Sequence, residues 1–253
     1  MVKSINLVNR SQNIKFVDTP TARQIFELLT YCNDNKDIGA IVGKPGVGKT
    51  TALRQYVLAG KGVTYCTITP AVNSMTAVMK LLITQLGYYA ETRIAANHEI
   101  IIDLLERDYV GLVIIDEAQL LNDQIIDELR CLYDHSNFPL VFSGNAELKS
   151  RFNNTRIASF AQFTSRIGIR LEIDEPRPGD IKTICDSLGI DGSDTTRKFM
   201  TNIAKSSGGL RIIGKIAALA GRGIGNEEII EHNRLIDAAK LLGAKARKPN
   251  LLN

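Results

Sequence analysis

Gly43-Lys44-Pro45-Gly46-Val47-Gly48-Lys49-Thr50 fits the phosphate-binding pattern G-x-x-x-x-G-K-[ST] at every position. Ile38, Ala40, Ile41 and Val42 before it make the apolar run of a buried strand. Thr51-Ala-Leu-Arg-Gln-Tyr-Val-Leu after it reads as a helix. Strand, glycine-rich turn and helix start are the context this pattern needs. Gly43, Gly46 and Gly48 carry no Cβ, so the backbone can turn tightly and come close to an anion. The free N–H groups of the loop and helix start then point at phosphate. The pattern directs Lys49 to the β- and γ-phosphates and the Thr50 hydroxyl to Mg²⁺. Lys44, Pro45, Val47 and Thr51 complete the cradle, and ATP with Mg²⁺ is the expected cofactor set.

Outward from this stretch, strands alternate with helices. Thr19-Pro20 reads as an N-cap followed by a first helical residue, opening a helix with Ile25, Phe26, Leu28 and Leu29 on its apolar face. Residues 63–68 read as a second strand. Asn73 or Ser74 caps a helix carrying Met75, Val78, Met79, Leu82, Ile83 and Leu86, and a further helix is expected over 97–108. Residues 111–115 form a short continuous apolar run, as in a strand buried on both faces of a parallel sheet. Ile125, Ile126, Leu129 and Leu132 mark the next helix, and residues 139–142 and 168–173 two more strands. This order predicts an α/β fold: a parallel five-stranded sheet flanked by helices. After Glu175-Pro176-Arg177-Pro178 no strand pattern recurs. Helical runs fill 178–188, 194–206, 209–221 and 226–242. The expected organisation is an N-terminal arm over 1–18, a nucleotide-binding core over 19–175 and a small all-α domain over 176–253, ending in a basic tail.

Asp116-Glu117 follow directly on the apolar run. Carboxylates at the C-terminal end of a parallel strand lie at the sheet edge where ligands bind. Asp116 is the expected Mg²⁺ partner, and Glu117 the group that orients and activates an attacking water. The strand at 139–142 leads into Ser143-Gly144-Asn145, whose amide is suited to bridge the γ-phosphate and that water. Arg166 precedes the last strand and can neutralise charge on the transferred phosphoryl group, supplied from a neighbouring subunit. Arg211, in Gly208-Gly209-Leu210-Arg211, opens a helix of the second domain and is a candidate γ-phosphate reporter.

Net charge is +4 over 253 residues. Residues 1–175 hold 18 Lys and Arg against 19 Asp and Glu, whereas residues 176–253 hold 13 against 8. Between Glu147 and Glu172 stand Lys149, Arg151, Arg156, Arg166 and Arg170 with no acid among them. Such a basic stripe suits either a solvated face or nucleic acid. Cys32, Cys66, Cys131 and Cys185 form no C-x-x-C pair, so buried reduced thiols are expected rather than a metal site or disulfides. No apolar run is long enough to span a membrane and no signal peptide opens the chain, so no membrane partner and a cytoplasmic location are expected.

Taken together, the phosphate loop, Asp116-Glu117, Asn145, Arg166 and Gly208-Gly209-Leu210-Arg211 resemble the AAA+ ATPases in order and spacing, over about residues 19 to 225. The resemblance implies an AAA+ core with a C-terminal lid domain. It makes Asn145 sensor 1, Arg166 the arginine finger (with Arg156 and Arg170 as rivals) and Arg211 sensor 2. A narrower resemblance is to the target-DNA-binding ATPases of transposition of the phage Mu B type. It is carried by residues 16–26, Tyr31-Cys32, residues 37–50, Leu112-Val-Ile-Ile-Asp-Glu-Ala-Gln-Leu-Leu, Asp127-Glu128-Leu129-Arg130 and Leu140-Val-Phe-Ser-Gly-Asn.

What that family implies is an ATP-hydrolysing protein of bacterial or phage-infected cytoplasm. It self-associates into a ring or helical filament on double-stranded DNA with little sequence preference, and presents that DNA to a transposase. The Mu type carries an additional N-terminal helix-turn-helix domain. Only 42 residues precede Gly43, so DNA binding is expected from the ATPase body and the basic C-terminal domain, with Lys80, Lys149, Arg151, Arg156, Lys245, Arg247 and Lys248 as candidate phosphate contacts. A helicase loader that uses ATP to remodel a protein partner is the alternative.

Overall fold

The computed structural model describes residues 16–60, 62–106, 111–153, 158–206, 208–225 and 228–244. The chain divides into two compact units. A sheet unit holds residues 24–43 and 49–174. A helical unit holds, among the described residues, 16–23, the loop residues 44–48, and those from 175 to 244.

Five parallel strands make the sheet: β1 (Ile38–Gly43), β2 (Thr64–Thr67), β3 (Val113–Asp116), β4 (Leu140–Gly144) and β5 (Ile167–Ile173), in the order β2-β3-β4-β1-β5. β1, β3 and β4 are buried along their whole length. Their unbroken apolar runs follow from cover on both faces. β5 is an edge strand, and its exposed and half-buried residues alternate until Ile173. Around these strands stand α1 (Pro20–Asn35), α2 (Lys49–Ala59), α3 (Met75–Gln85), α4 (Ile94–Leu105), α5 (Asp123–Ser136), α6 (Ala146–Phe152) and α7 (Ala158–Ser165).

Ser74, rather than Asn73, caps α3, its hydroxyl accepting from the Ala77 N–H at 3.3 Å. α4 starts three residues before the expected 97. Asn97 is fully buried and bonds both backbone groups of Glu91, at 2.7 and 3.0 Å, which fixes the turn leading into the helix. That turn leaves the Tyr89 ring 98% exposed. α6 and α7 were not expected, because helices of 7 and 8 residues are too short to show a 3.6-residue period. They matter to the core: Phe152 on α6 and Phe163 on α7 lie 5.3 Å apart, and Phe163 stands edge-on to Phe142 of β4 at 5.1 Å. Each such buried ring is worth roughly 1.5–3 kcal/mol.

The helical unit contains α8 (Pro178–Ser187), α9 (Asp194–Ser206), α10 (Leu210–Ala220) and α11 (His232–Leu241). Ile181, Met200, Ile213, Ile216 and Leu235 form its core. The helix expected over 226–242 begins only at His232. Ile230 instead makes a parallel bridge with Ile190, taking the Asp191 N–H on its carbonyl at 3.1 Å and giving its own N–H to Gly189 at 2.7 Å. The first turn of α1 also belongs to this unit. Thr19 caps it through the Ala22 N–H, at 3.2 Å. Thr21 gives its N–H and its hydroxyl to the two oxygens of the fully buried Asp180, at 2.8 and 2.6 Å. The Arg177 N–H bonds the same carboxylate at 3.1 Å, so Asp180 caps α8 and holds the start of α1 together.

Candidate nucleotide site

A parallel sheet brings all strand C-termini to one edge. In the sheet unit β1 ends there at Gly43, β3 at Asp116 and β4 at Gly144. Lys49, the first residue of α2, returns its ammonium to the Gly43 carbonyl at 2.7 Å. Burial pushes its pKa down, and the Asp116 and Glu117 carboxylates push it back up. The Thr50 hydroxyl donates to Asp116 Oδ2 at 2.9 Å. Asp116 itself is 1% exposed. The two residues expected to hold Mg²⁺ are therefore in direct contact, and a buried carboxylate beside a hydroxyl is the hard-oxygen donor set that ion takes.

Two residues at this edge went unnoticed in the sequence. Tyr65 of β2 donates its phenol hydroxyl to the same Asp116 Oδ2, at 2.7 Å. Burial raises the Tyr65 pKa, the Thr67 and Arg54 side chains pull it back, and Asp116 adds to the rise. Gln119 lies in the short 3₁₀ turn Ala118–Leu120. Its Nε2 donates to Glu117 Oε2 at 2.6 Å, and its Oε1 accepts the Asn145 N–H at 3.3 Å. Gly144 leaves room for this contact, since a Cβ there would lie 2.7 Å from Gln119 Oε1 and 3.0 Å from Leu148 Cβ. Glu117 holds a left-handed backbone, φ 58°, a conformation that costs a non-glycine residue about 1–3 kcal/mol. Gln119 belongs to the Glu-Ala-Gln string that carries the family resemblance, so a signal for it existed. Tyr65 sits in no motif.

Asn145 is the N-cap of α6, its Oδ1 accepting from the Glu147 and Leu148 N–H groups at 2.9 and 3.4 Å. Arg166 is paired with Asp134 of α5, with Nε 2.9 Å from Oδ1. Lys149 meets Glu172 and Asp174 of the last strand and its exit, at 2.5 and 3.8 Å. Those contacts, Glu172 first, raise its pKa. Arg151 binds the Gln119 and Leu121 carbonyls at 3.2 and 2.6 Å and Asp123 at 2.7 Å, which fixes the segment after β3. Three of the five basic residues of that stretch, Lys149, Arg151 and Arg166, are thus matched by acids. Lys80 is half-buried on α3 and Arg170 is exposed on β5. Arg156, Lys245, Arg247 and Lys248 lie outside the described residues.

The loop residues counted with the helical unit are held by backbone. The Leu210 N–H donates to the Gly46 carbonyl at 2.7 Å. Gly46, Gly208 and Gly209 all have positive φ, at 84°, 78° and 68°. A Cβ on Gly46 would stand 2.2 Å from the Gly208 carbonyl, and one on Gly209 2.5 Å from that of Gly46. Lys44 forms a long ion pair with Glu175, at 4.0 Å. Arg211 is exposed at the start of α10.

Cys32, Cys66 and Cys185 are buried thiols, with pKa values pushed up by burial to about 12, about 12 and about 11. Cys131 departs from the expectation, since it is exposed on α5. Among the described residues there is no cluster of His, Cys, Asp and Glu suited to a metal, and no helix long and apolar enough to cross a membrane.

The AAA domain model matches residues 32–152, and the model for the C-terminal part of the Mu B transposition protein matches residues 165–241. The chain is 32% identical over 215 residues to the ATP-dependent target DNA activator B of Escherichia phage Mu, covering 83% of this chain and 69% of that protein. It is 26% identical over 200 residues to the Mu-like prophage FluMu DNA transposition protein B of Haemophilus influenzae, covering 78% and 70%. Among solved structures, a Walker-type ATPase of Pyrococcus abyssi superposes with a TM-score of 0.59 at 13% identity, covering 92% of this chain and 77% of that one, a likeness of fold.

Proposed function

Since the chain belongs to the family of Mu B transposition proteins, we propose that it is an ATP-dependent activator of target DNA, which binds duplex DNA and delivers it to a transposase. The observation that carries this reading is the meeting of Lys49, Thr50, Asp116 and Glu117 at one sheet edge, the arrangement a nucleotide-driven member of that family needs.

Residues 43–51 would cradle the ATP phosphates, with Lys49 facing the outer two. Thr50 and Asp116 would hold Mg²⁺, which when bound neutralises charge on the phosphates. Glu117 takes a proton from the attacking water, and its tether to Gln119 limits where its carboxylate can point. Asn145, with its Oδ1 occupied by the α6 cap, keeps its amide nitrogen for the γ-phosphate or the water. Arg166 serves as the finger toward a neighbouring subunit once released from Asp134, and Arg211 as the reporter from the second domain. Arg156 and Arg170 stay the rival fingers. The division into a core over 19–175 and a lid over 176–253 is part of this proposal.

Self-association into a ring or filament, stimulation by DNA and a cytoplasmic setting complete the reading. DNA would be held through its phosphates, which gives little sequence preference. Lys80, Arg156, Lys245, Arg247 and Lys248 are candidate contacts. Lys149 and Arg151 can join them only by leaving their present carboxylates.

The test is binding to random-sequence duplex with ATP, ADP or no nucleotide across a salt series. Binding that needs ATP and weakens steeply with salt is the expected result. Absence of ATP-dependent duplex binding would discard the DNA activator in favour of a protein-remodelling ATPase.

A further inference from the structure

Asp116 is held by three donors, two of them side chains from other elements. Oδ2 accepts from Thr50 of α2 and from Tyr65 of β2, and Oδ1 accepts the Glu117 N–H at 3.0 Å. A carboxylate oxygen offers two lone pairs. Both of those on Oδ2 are used by hydroxyls, so only Oδ1 keeps one for a further donor. The strand register builds this arrangement. β2 and β3 pair Thr67 with Asp116 and Tyr65 with Ile114. Tyr65 is thus the diagonal neighbour, close enough for a long side chain to reach across. The Thr67 and Arg54 side chains act on the same phenol, pulling its pKa down.

We propose that Tyr65 is a positioning residue for the metal–nucleotide site: its hydroxyl fixes the rotation of the Asp116 carboxylate, so that one defined oxygen is presented to the metal's hydration shell. Tyr65 touches neither nucleotide nor metal in this scheme and acts through Asp116. The inference rests on the reading of Thr50 and Asp116 as the magnesium-holding pair. It adds that β2, which carries no recognised motif, tunes how much magnesium the site requires. Loss of the phenol hydroxyl frees the carboxylate to rotate, and the ordering then has to come from the ion when it binds.

The experiment titrates Mg²⁺ against binding of a fluorescent ATP analogue, with an EDTA baseline, in wild type and in Tyr65→Phe. The variant keeps the ring and removes the hydroxyl, and with it the donation to Asp116. Nucleotide affinity in EDTA should stay within about twofold of wild type, while the Mg²⁺ concentration at half effect rises about five- to tenfold, the size expected for the net loss of one intramolecular hydrogen bond. An unchanged Mg²⁺ midpoint, with or without a lower melting temperature, would reduce Tyr65 to packing and overturn the proposal. If wild type itself shows no Mg²⁺ effect, the assignment of Thr50 and Asp116 fails, a result visible without the variant. Should Tyr65→Phe melt too low to assay, Thr67→Val removes a hydroxyl from the same phenol at nearly equal volume. It should then shift the midpoint about twofold in the same direction, and no shift would count against Tyr65 equally.

Discussion

The two ends of the phosphate loop are secured by different means. At the Lys49–Thr50 end, side chains do it: an ammonium on the Gly43 carbonyl and a hydroxyl on Asp116. At the Gly46 end backbone does it: a carbonyl takes the Leu210 N–H and three glycines lie backbone to backbone. The first end is chemically selective, and can be disabled by removing a functional group while the fold stays intact. The second is sterically selective, and can be disabled only by adding atoms.

The comparison breaks most severely at Lys49. Lys49→Ala should lower ATP affinity about 100-fold, as expected when a cation facing phosphate is deleted, with little change in melting temperature. Fluorescent-nucleotide titration checks it, and unchanged affinity would remove this end of the loop from phosphate binding. Glu117→Gln should leave ATP affinity within about twofold and slow hydrolysis by about 100-fold or more, the usual contribution of a general base. Phosphate-release assays would show it, and near-normal turnover would take Glu117 out of that role. Gly209→Ala sharpens the other side of the comparison. Its methyl meets the Gly46 carbonyl at 2.5 Å from a φ of 68°. The expected cost is about 1–3 kcal/mol of stability, read by thermal melting, with a several-fold loss of ATP affinity. The smallest effect is expected at Arg151, whose cation is engaged within the fold. Arg151→Ala should cost about 1–2 kcal/mol in stability and leave duplex affinity of the folded protein unchanged.

The side-chain end was legible in the sequence because its spacing is local. Eight consecutive residues specify the loop, and Asp116-Glu117 follow an apolar run that can only be a covered strand. The five strands could be read for the same reason. What stayed hidden depends on which strands become neighbours. Tyr65 and Asp116 are 51 positions apart and meet only because β2 pairs with β3. The acids that neutralise Lys149, Arg151 and Arg166 come from Glu172, Asp123 and Asp134, so a charge count along the chain overstated how basic that surface is. The spacing of Asn145 marks it as a candidate phosphate sensor, but its oxygen also starts α6, a helix too short to announce itself in the sequence.

The Asp180 carboxylate carries a practical warning for anyone dissecting the molecule. A fragment cut at residue 174 to isolate the four C-terminal helices would strip away both Thr21 donors and leave the Asp180 carboxylate with one of its three described donors, the Arg177 N–H. Poor yield or a molten character in such a piece would then reflect the scissors rather than the domain. Supplying a peptide that spans Asp18 to Arg23, or replacing Asp180 with a residue content without those donors, would be the remedy to try first.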